Sequence, residues 1–423
     1  MSKAWNRLPR SFAGRLALIV ASGALVRVLY TVLVAPWPPE VSDDQVFFNL
    51  QSQLIADGKG FIQPQLELAG VIRPTAAHPP LYPVVLAGLA KIGLADQLVQ
   101  RLTGTLFGSG TLIAIGLLGR RVAGERAALI AVALGAAYPL LITADGALMS
   151  ESLYGLLVAL SLLTAYKLMD EPNWRWAALL GVLGGLAALT RGEAFVLYAL
   201  LLLPLLRRPG GLRCIAVALV ALVVVLTPWT MRNWFTFDRL VLVSTNAGAV
   251  VGGANCQDTY YGPNIGGWSI LCDRPWPGHN EAEETSRQFK DGARFARHHV
   301  SRWPAVAAAR FGRAFSFFQP FQTDAGRSPT WENVGVVLYW LMLPLAGFGG
   351  LTLYRRRVQM WPIVAPILMV AITTVVFYGF LRFRQPAEIS IVLLAGVAID
   401  ALWGRSQARR TVRDKTQPLA HAP

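Results

Sequence analysis

The chain has 423 residues, 54% of them hydrophobic and 15% charged, with a formal net charge of +15. So apolar a chain of this length excludes a soluble multidomain protein; lipid offers the backbone no hydrogen-bonding partner, so the expected class is an all-α polytopic membrane protein. The excess of Lys and Arg does not indicate a nucleic-acid binder, because the basic residues bracket apolar segments instead of gathering into one patch.

In chain order, segments near 15–36, 98–119, 127–143, 147–166, 174–190, 192–206, 213–230, 333–353, 359–380 and 386–403 read as spans, about ten in all, since roughly 17–25 apolar residues cross a bilayer. The first is long, carries Arg27 and lacks a small-x-small cleavage site, so it reads as a retained anchor and not a cleaved signal. Basic residues then mark alternate span ends: Lys3, Arg7, Arg10 and Arg15; Arg120, Arg121 and Arg126; Lys167 and Arg175; Arg207, Arg208 and Arg213; Arg355, Arg356 and Arg357; and Arg405, Arg409, Arg410, Arg413 and Lys415. The positive-inside rule places all of these, and both termini, in the cytoplasm.

The apolar segment 79–94 is the exception. Counting it as a span would invert every later loop and put Arg120 and Arg121 outside, so it reads as an interfacial or re-entrant helix within a first outer loop of about 37–97. The chain then divides into a membrane module over 1–230, an extracytoplasmic region over 231–330, C-terminal spans over 331–404 and a basic cytoplasmic tail over 405–423.

The region 231–330 follows an aromatic collar, Thr227-Pro-Trp-Thr-Met-Arg-Asn-Trp-Phe235, of the kind that sits at a membrane interface. Residues 244–267 are rich in Gly and Asn and read as loop. Residues 281–302 have helical periodicity, and 305–318 read as a membrane-surface helix with Arg310 and Arg313 on its polar side. Cys256 and Cys272 form an even pair in this outer region, which in an oxidising compartment points to a disulfide; Cys214 lies at a span end and reads as packing. No Cys or His spacing indicates a zinc site.

Ionisable residues gather at the outer span ends. Ser42-Asp43-Asp44 follows the first span, His78-Pro-Pro-Leu-Tyr-Pro83 opens the re-entrant segment, Asp145 and Glu151 flank the third and fourth spans, and Arg191, Glu193, Arg382 and Arg384 occupy later turns. Ser-Asp-Asp also suits a plain helix start, and charged residues at span ends also snorkel or cap helices. So many at one depth favour a site.

These residues carry a resemblance. The chain resembles the GT-C class of integral membrane glycosyltransferases, and within it the group that contains protein O-mannosyltransferases and lipid A aminoarabinose transferases. The residues concerned are Asp43-Asp44-Gln-Val-Phe47 with Leu54 and Gly58-Lys-Gly60-Phe61; His78 to Pro83; Met149-Ser-Glu151-Ser-Leu-Tyr154; Leu189-Thr-Arg191-Gly-Glu193; Pro228-Trp229 with Arg232-Asn233, Ser244-Thr-Asn246 and Gly248; and Arg382-Phe-Arg384-Gln-Pro386. Two positions depart from the group's pattern: its second acid is usually Glu and is Asp44 here, and its aromatic is usually Tyr and is Phe47 here, without a hydroxyl.

The resemblance implies a GT-C-like helical bundle and a sugar donor carried on a polyprenyl phosphate. It implies Asp43 as the base for an acceptor hydroxyl, with inversion at the anomeric carbon; such help is typically worth about 10²–10⁴-fold. Asp44, His78, Asp145 and Glu151 are expected to orient acceptor or sugar. Arg382, Arg384 and Arg191 are expected at the donor phosphate, for which the planar guanidinium fork is suited. Asp43, Asp44 and Asp145 have the oxygen chemistry for Mg²⁺ or Mn²⁺, but the mannosyltransferase-like group implies no cofactor. The acceptor is expected to be a glycolipid, polysaccharide or protein of a bacterial cell envelope, reached on the outer face of the plasma membrane. A transporter or flippase of lipid-linked sugars is the alternative; it would show internal repeats and midplane charges, whereas no clear repeat is present and only Arg27 lies well inside an expected span.

Overall fold

The computed structural model describes residues 11–37, 43–272, 276, 278–322, 324 and 326–416, with side chains as far as residue 404. Lys3, Arg7, Arg10, Ser42 and the tail beyond Thr416 lie outside the described residues, as do the side chains of Arg405 to Lys415. Apart from an isolated bridge between Ile62 and Pro74, the regular structure among the described residues is helical. The first half comprises α1 (Phe12–Leu33), α2 (Asp44–Ala56), α3 (Pro64–Glu67), α4 (Leu81–Lys91), α5 (Gln97–Ala123), α6 (Glu125–Ala137), α7 (Pro139–Gly146), α8 (Glu151–Asp170), α9 (Trp174–Ala188) and α10 (Ala194–Leu202). The second comprises α11 (Gly211–Phe237), α12 (Asn246–Ala254), α13 (Gln257–Tyr261), α14 (Glu281–His298), α15 (Trp303–Ala314), α16 (Pro329–Arg355), α17 (Trp361–Val376) and α18 (Gln385–Thr416).

Among the described residues six helices are long and apolar enough to cross a membrane: α1, α5, α8, α11, α16 and the stretch Leu381–Gly404. A seventh span results if α6 and α7, which meet at a 57° bend, are counted as one. Pro139 makes that bend, since it has no N–H to continue the ladder of α6. The expected spans at 174–190, 192–206 and 359–380 are present as apolar helices, but Trp174–Ala188, Ala194–Arg207 and Trp361–Val376 are shorter than a full crossing. Hydropathy marks the apolar run, and the run outlasts the helix: Phe380, for example, is already extended. With 11 residues, about 16 Å of helix, α4 is too short to be a span.

Close packing rests on small residues, as membrane helix interfaces require. A Cβ on Gly349 of α16 would lie 1.9 Å from the Leu394 carbonyl oxygen of α18, and one on Gly396 of α18 would lie 2.6 Å from the Ala131 side chain of α6. Beyond these contacts the basic span ends assemble. Arg121 pairs with Asp170, Arg126 pairs with Asp400, and Arg120 lies over the Phe12 ring. Asp170 and Glu151 are the two ends of α8, about 28 Å apart, so these basic residues and the outer-end acids occupy opposite ends of the molecule.

At the other end the two long connecting regions are bolted together. Glu281 of α14 accepts from the Ala76 amide (2.9 Å) and from the Thr245 hydroxyl. Arg232 donates to the carbonyls of Thr75 and Phe61, both at 2.9 Å. Cys256 and Cys272 are joined in a disulfide, and Cys214 is a buried free thiol. Arg310 and Arg313 depart from the sequence reading: they do not form the wet face of α15 but are buried. Arg310 donates to the carbonyls of Val375 and Val376 in the last turn of α17 and to that of Ala254 ending α12. Helix ends leave carbonyls without intrahelical partners, and this guanidinium meets two sets of them.

Candidate functional site

A cavity of about 970 Å³ opens between the membrane helices, at the end of the bundle where α8 begins, and the region 231–330. Its wall is apolar over much of its extent, with Phe48, Phe195, Val241, Val243, Phe289 and Phe377. Asp44, His78, Arg191, Tyr378 and Arg382 supply charge and hydrogen bonding.

Arg382 is the centre of the charged part. It sits in a short 3₁₀ turn, Leu381–Arg384, that precedes α18. Three carboxylates from distant parts of the chain surround it: Asp44 at 3.4 Å, Asp324 at 3.4 Å and Glu151 at 3.9 Å. Glu151 opens α8, is buried, and accepts from Arg191 at 2.9 Å. Arg191 also donates to Glu193 at 2.6 Å. One buried carboxylate therefore ties two of the cavity guanidiniums, Arg191 and Arg382, to the start of a membrane helix; Arg239 also lines the cavity and pairs with Glu283. Arg191 and Arg382 share the Phe383 ring, at 5.5 Å and 5.6 Å from its centroid.

Asp44 heads α2 and reaches His78 Nε2 at 3.6 Å with its other oxygen. Burial pushes the Asp44 carboxyl up, but His78, Arg382 and Arg191 outweigh it and hold the group below the usual carboxylate range. His78 packs against Phe47 and Phe48, at 4.5 and 5.0 Å between ring centroids, and burial pushes its imidazole down against the pull of Asp44. Phe47 is thus part of the histidine's apolar seat.

Asp43 is differently placed. It is the N-cap of α2, with one oxygen accepting from the Gln45 amide at 2.8 Å, and it does not line the cavity. Burial raises its pKa, opposed by that amide and reinforced by the charges of Asp44 and Asp324.

Two expected site residues are elsewhere. Asp145 is buried in an ion pair with Arg27 at 2.6 Å, against α5, where a Cβ on Gly108 would strike its carboxylate at 2.0 Å. Arg27 also donates to the carbonyls of Gly135 and Ala136, each at 3.2 Å, which the Pro139 break leaves without helical partners. Arg27 and Asp145 are thus the repair of a broken helix end and not an acceptor site. Arg384 points away from the cavity. It is fully buried, paired with Glu388 at 2.5 Å, hydrogen-bonded to Ser316 Oγ at 2.8 Å and stacked 3.5 Å over Tyr339. It holds α18 to its neighbours and is not placed to meet a phosphate.

Sequence reasoning missed Asp324, which lies in a region without motif and is recognisable only by its contact with Arg382. It also missed Tyr378 and Phe383, whose one signal is their closeness to Arg382 in the chain. Among the described residues no group of three or more His, Cys, Asp or Glu is placed to hold a metal ion, and Asp145, weighed with Asp43 and Asp44 as an oxygen ligand, is committed to Arg27.

This arrangement, a bundle of apolar helices with broken and short members below a charged cavity, is similar in fold to solved structures of an archaeal oligosaccharyltransferase. The structure superposes on AglB of Archaeoglobus fulgidus, in complex with an inhibitory peptide and a dolichol-phosphate, with a TM-score of 0.56 over 96% of this chain and 52% of that one, at 12% identity. The apo form of the Archaeoglobus fulgidus oligosaccharyltransferase gives 0.55, 96%, 53% and 14% in the same order. This chain spans about half the length of those proteins. A looser superposition, with a TM-score of 0.44 at 14% identity, covers 99% of this chain and 82% of ArnT from Cupriavidus metallidurans bound to undecaprenyl phosphate. Residues 77–231 match the family described as dolichyl-phosphate-mannose-protein mannosyltransferase. That segment holds His78, Glu151 and Arg191 and leaves the Asp43–Asp44 pair and Arg382 outside it. No curated protein matches the sequence.

Proposed function

We propose that this chain is an integral membrane glycosyltransferase of GT-C type that moves a sugar from a polyprenyl-phosphate carrier to an acceptor hydroxyl on the extracytoplasmic face. The observation that carries the reading is Arg382, exposed to the cavity, held by three carboxylates and joined to Arg191 through Glu151. A donor phosphate is a natural exchange partner for such a guanidinium, since it replaces long contacts to carboxylates with bidentate, charge-assisted bonds. The apolar wall suits a prenyl tail entering from lipid.

In a single displacement the acceptor oxygen attacks the anomeric carbon from the side opposite the phosphate. Its proton passes to a carboxylate, and the bond from the anomeric carbon to the phosphate oxygen breaks with its electron pair. The polyprenyl phosphate departs with one more negative charge, which Arg382 and Arg191 offset, and the configuration inverts. We assign the proton to Asp43, which stands beside the cavity as the neighbour of Asp44, near enough to Asp324 and Arg382 to feel their charges, so that an acceptor at the cavity edge meets it. Among the described residues only one of its oxygens has a partner, and its raised pKa makes it a better base than Asp44, which Arg382 and His78 hold as a weakly basic carboxylate. Asp44 and His78 then orient sugar or acceptor at the cavity wall. No cofactor enters this scheme. The extracytoplasmic assignment follows from the basic residues at the opposite end of the bundle, which the positive-inside rule places in the cytoplasm of a plasma membrane. A glycolipid, polysaccharide or protein of the cell envelope is the acceptor class.

The test is sugar release from radiolabelled polyprenyl-phosphate sugars by purified protein, with wild type beside Asp43→Asn. Consumption of one donor by wild type and its loss in a folded Asp43→Asn variant is the expected result. Equal consumption by both would remove Asp43 as the base. Failure of wild type to bind any polyprenyl phosphate would remove the lipid-donor reading.

A further inference from the structure

A second cavity, of about 460 Å³, lies at the end of the bundle opposite the candidate site, where α6, α16 and α18 meet. Its apolar wall is formed by Phe348 and Leu351, and its polar rim by Arg126, Arg355, Arg356 and Asp400. Asp400 is paired with Arg126. Arg355 and Arg356 are exposed and have no carboxylate within ion-pair distance among the described residues. Among the described residues the rim therefore carries two guanidiniums without a carboxylate partner above an apolar slot.

Its depth is marked by its neighbours. Tyr354 and Trp403, 72% and 56% exposed, flank the cavity on α16 and α18, and amphipathic aromatic rings at helix ends sit at headgroup level. Local dipoles do not decide the sign of the ligand. The C-terminus of α16 places negative partial charge here, while the N-terminus of α6, at Glu125 and Arg126, places positive partial charge beside it. The unpaired arginines then set the potential.

We propose that this cavity binds the headgroup of an anionic phospholipid, with the phosphodiester on Arg355 and Arg356 and an acyl chain along Phe348 and Leu351. Exposed arginines on a bilayer surface would attract an anionic leaflet diffusely. A cavity formed by three helices in backbone contact, at Gly349 and Gly396, fixes where the phosphate sits. The site lies about a bilayer's thickness from Arg382 and is independent of the reaction proposed there.

The test uses the full chain purified in detergent, offered phosphatidylglycerol and phosphatidylcholine at equal concentration, with bound lipid counted by native mass spectrometry. Phosphatidylglycerol should be retained in preference. Arg355→Ala with Arg356→Ala should lower its retention by roughly 30-fold, from a factor of about 5 for each basic residue near the surface. Arg355→Lys with Arg356→Lys should keep most of it, and Arg287→Ala, on α14 at the far end, should change nothing. Both arginines are exposed, so their loss leaves no buried group unpaired, and unfolding in phosphatidylcholine alone should match wild type. Equal retention of the two lipids, an unaffected double alanine variant, or complete displacement by millimolar inorganic phosphate would each overturn the proposal, the last by marking a free-anion site.

Discussion

Arg382 and Arg384 stand two residues apart in one motif, and the structure gives them opposite duties that a pair of charge-conserving substitutions separates. In Arg384→Lys the ammonium retains Glu388 but cannot also reach the Ala314 carbonyl (3.2 Å) and Ser316 Oγ (2.8 Å), nor stack on Tyr339. Two lost hydrogen bonds in a buried site, at about 1–1.5 kcal/mol each, come to roughly 2–3 kcal/mol of stability. In Arg382→Lys the positive charge stays beside Asp44, Asp324 and Glu151, whose contacts with it are only 3.4–3.9 Å, so no buried carboxylate is left without a counter-charge and stability should change little. What Arg382→Lys does lose is the planar fork for phosphate, a charge-assisted bond of about 1.5–3 kcal/mol, which is roughly 10- to 100-fold in kcat/KM. Thermal unfolding and donor turnover should be measured on both variants in one detergent. Arg384→Lys should unfold earlier and turn over near the wild-type rate per folded molecule, and Arg382→Lys should do the reverse. An Arg384→Lys protein of wild-type stability that is inactive would refute the structural role given to Arg384, and with it the geometry of the site.

Three further outcomes are expected. The acid limb of kcat/KM against pH should lie above the ordinary aspartate range, because a base with a raised pKa is lost by protonation at a higher pH. Asp44→Asn removes a neighbouring negative charge, so it should move that limb to lower pH; a shift upward would contradict the assignment of Asp43. Arg27→Met should cost about 3–5 kcal/mol by leaving Asp145 buried and unpaired, and Arg27→Met with Asp145→Leu should recover part of the loss, as thermal unfolding would report. Cys256→Ser opens a loop with a sequence separation of 16 and should cost about 3 kcal/mol in the outer region, read as faster proteolysis there with the membrane helices intact.

Much of this was legible in the chain. Short helices of opposite polarity put Asp44, His78, Arg191 and Arg382 at one depth, and the alternation of basic ends was enough to say so. What the alternation could not supply is direction. Asp43 and Asp44 are consecutive, yet one caps a helix and the other faces the cavity; Arg382 and Arg384 share a turn, yet point to different sides of it. Arg27 and Asp145 were each visible as a charge at membrane depth, but their pairing across 118 residues exists only because Pro139 breaks α6 and exposes carbonyls that Arg27 can reach. Some expected spans are shorter than their apolar runs for a related reason. Hydropathy measures how far an apolar run extends, whereas a crossing needs the backbone to stay helical throughout, and near Gly192 and Phe377 it does not.

Glu151 draws these strands into one more prediction. It is the carboxylate that Arg191 and Arg382 share, and its position at the start of α8 makes it a positioning residue and not a group that meets the substrate. In Glu151→Gln, Arg191 keeps Glu193, and Arg382 keeps Asp44 and Asp324, so neither guanidinium is left without a counter-charge and the protein should fold. The cavity becomes more positive, so a donor phosphate in the ground state should bind at least as well and KM should stay level or fall. The two guanidiniums lose their common anchor, however, and displacement requires them aimed at the oxygen on which charge develops. A misaligned donor of that kind shows in kcat, with losses of the order of 10²-fold for about 1 Å of misplacement. A fall in kcat at unchanged or lower KM is therefore the expected signature. A rise in KM at constant kcat would mean that Glu151 contributes only to ground-state binding, and the view of α8 as the frame of the site would have to be abandoned.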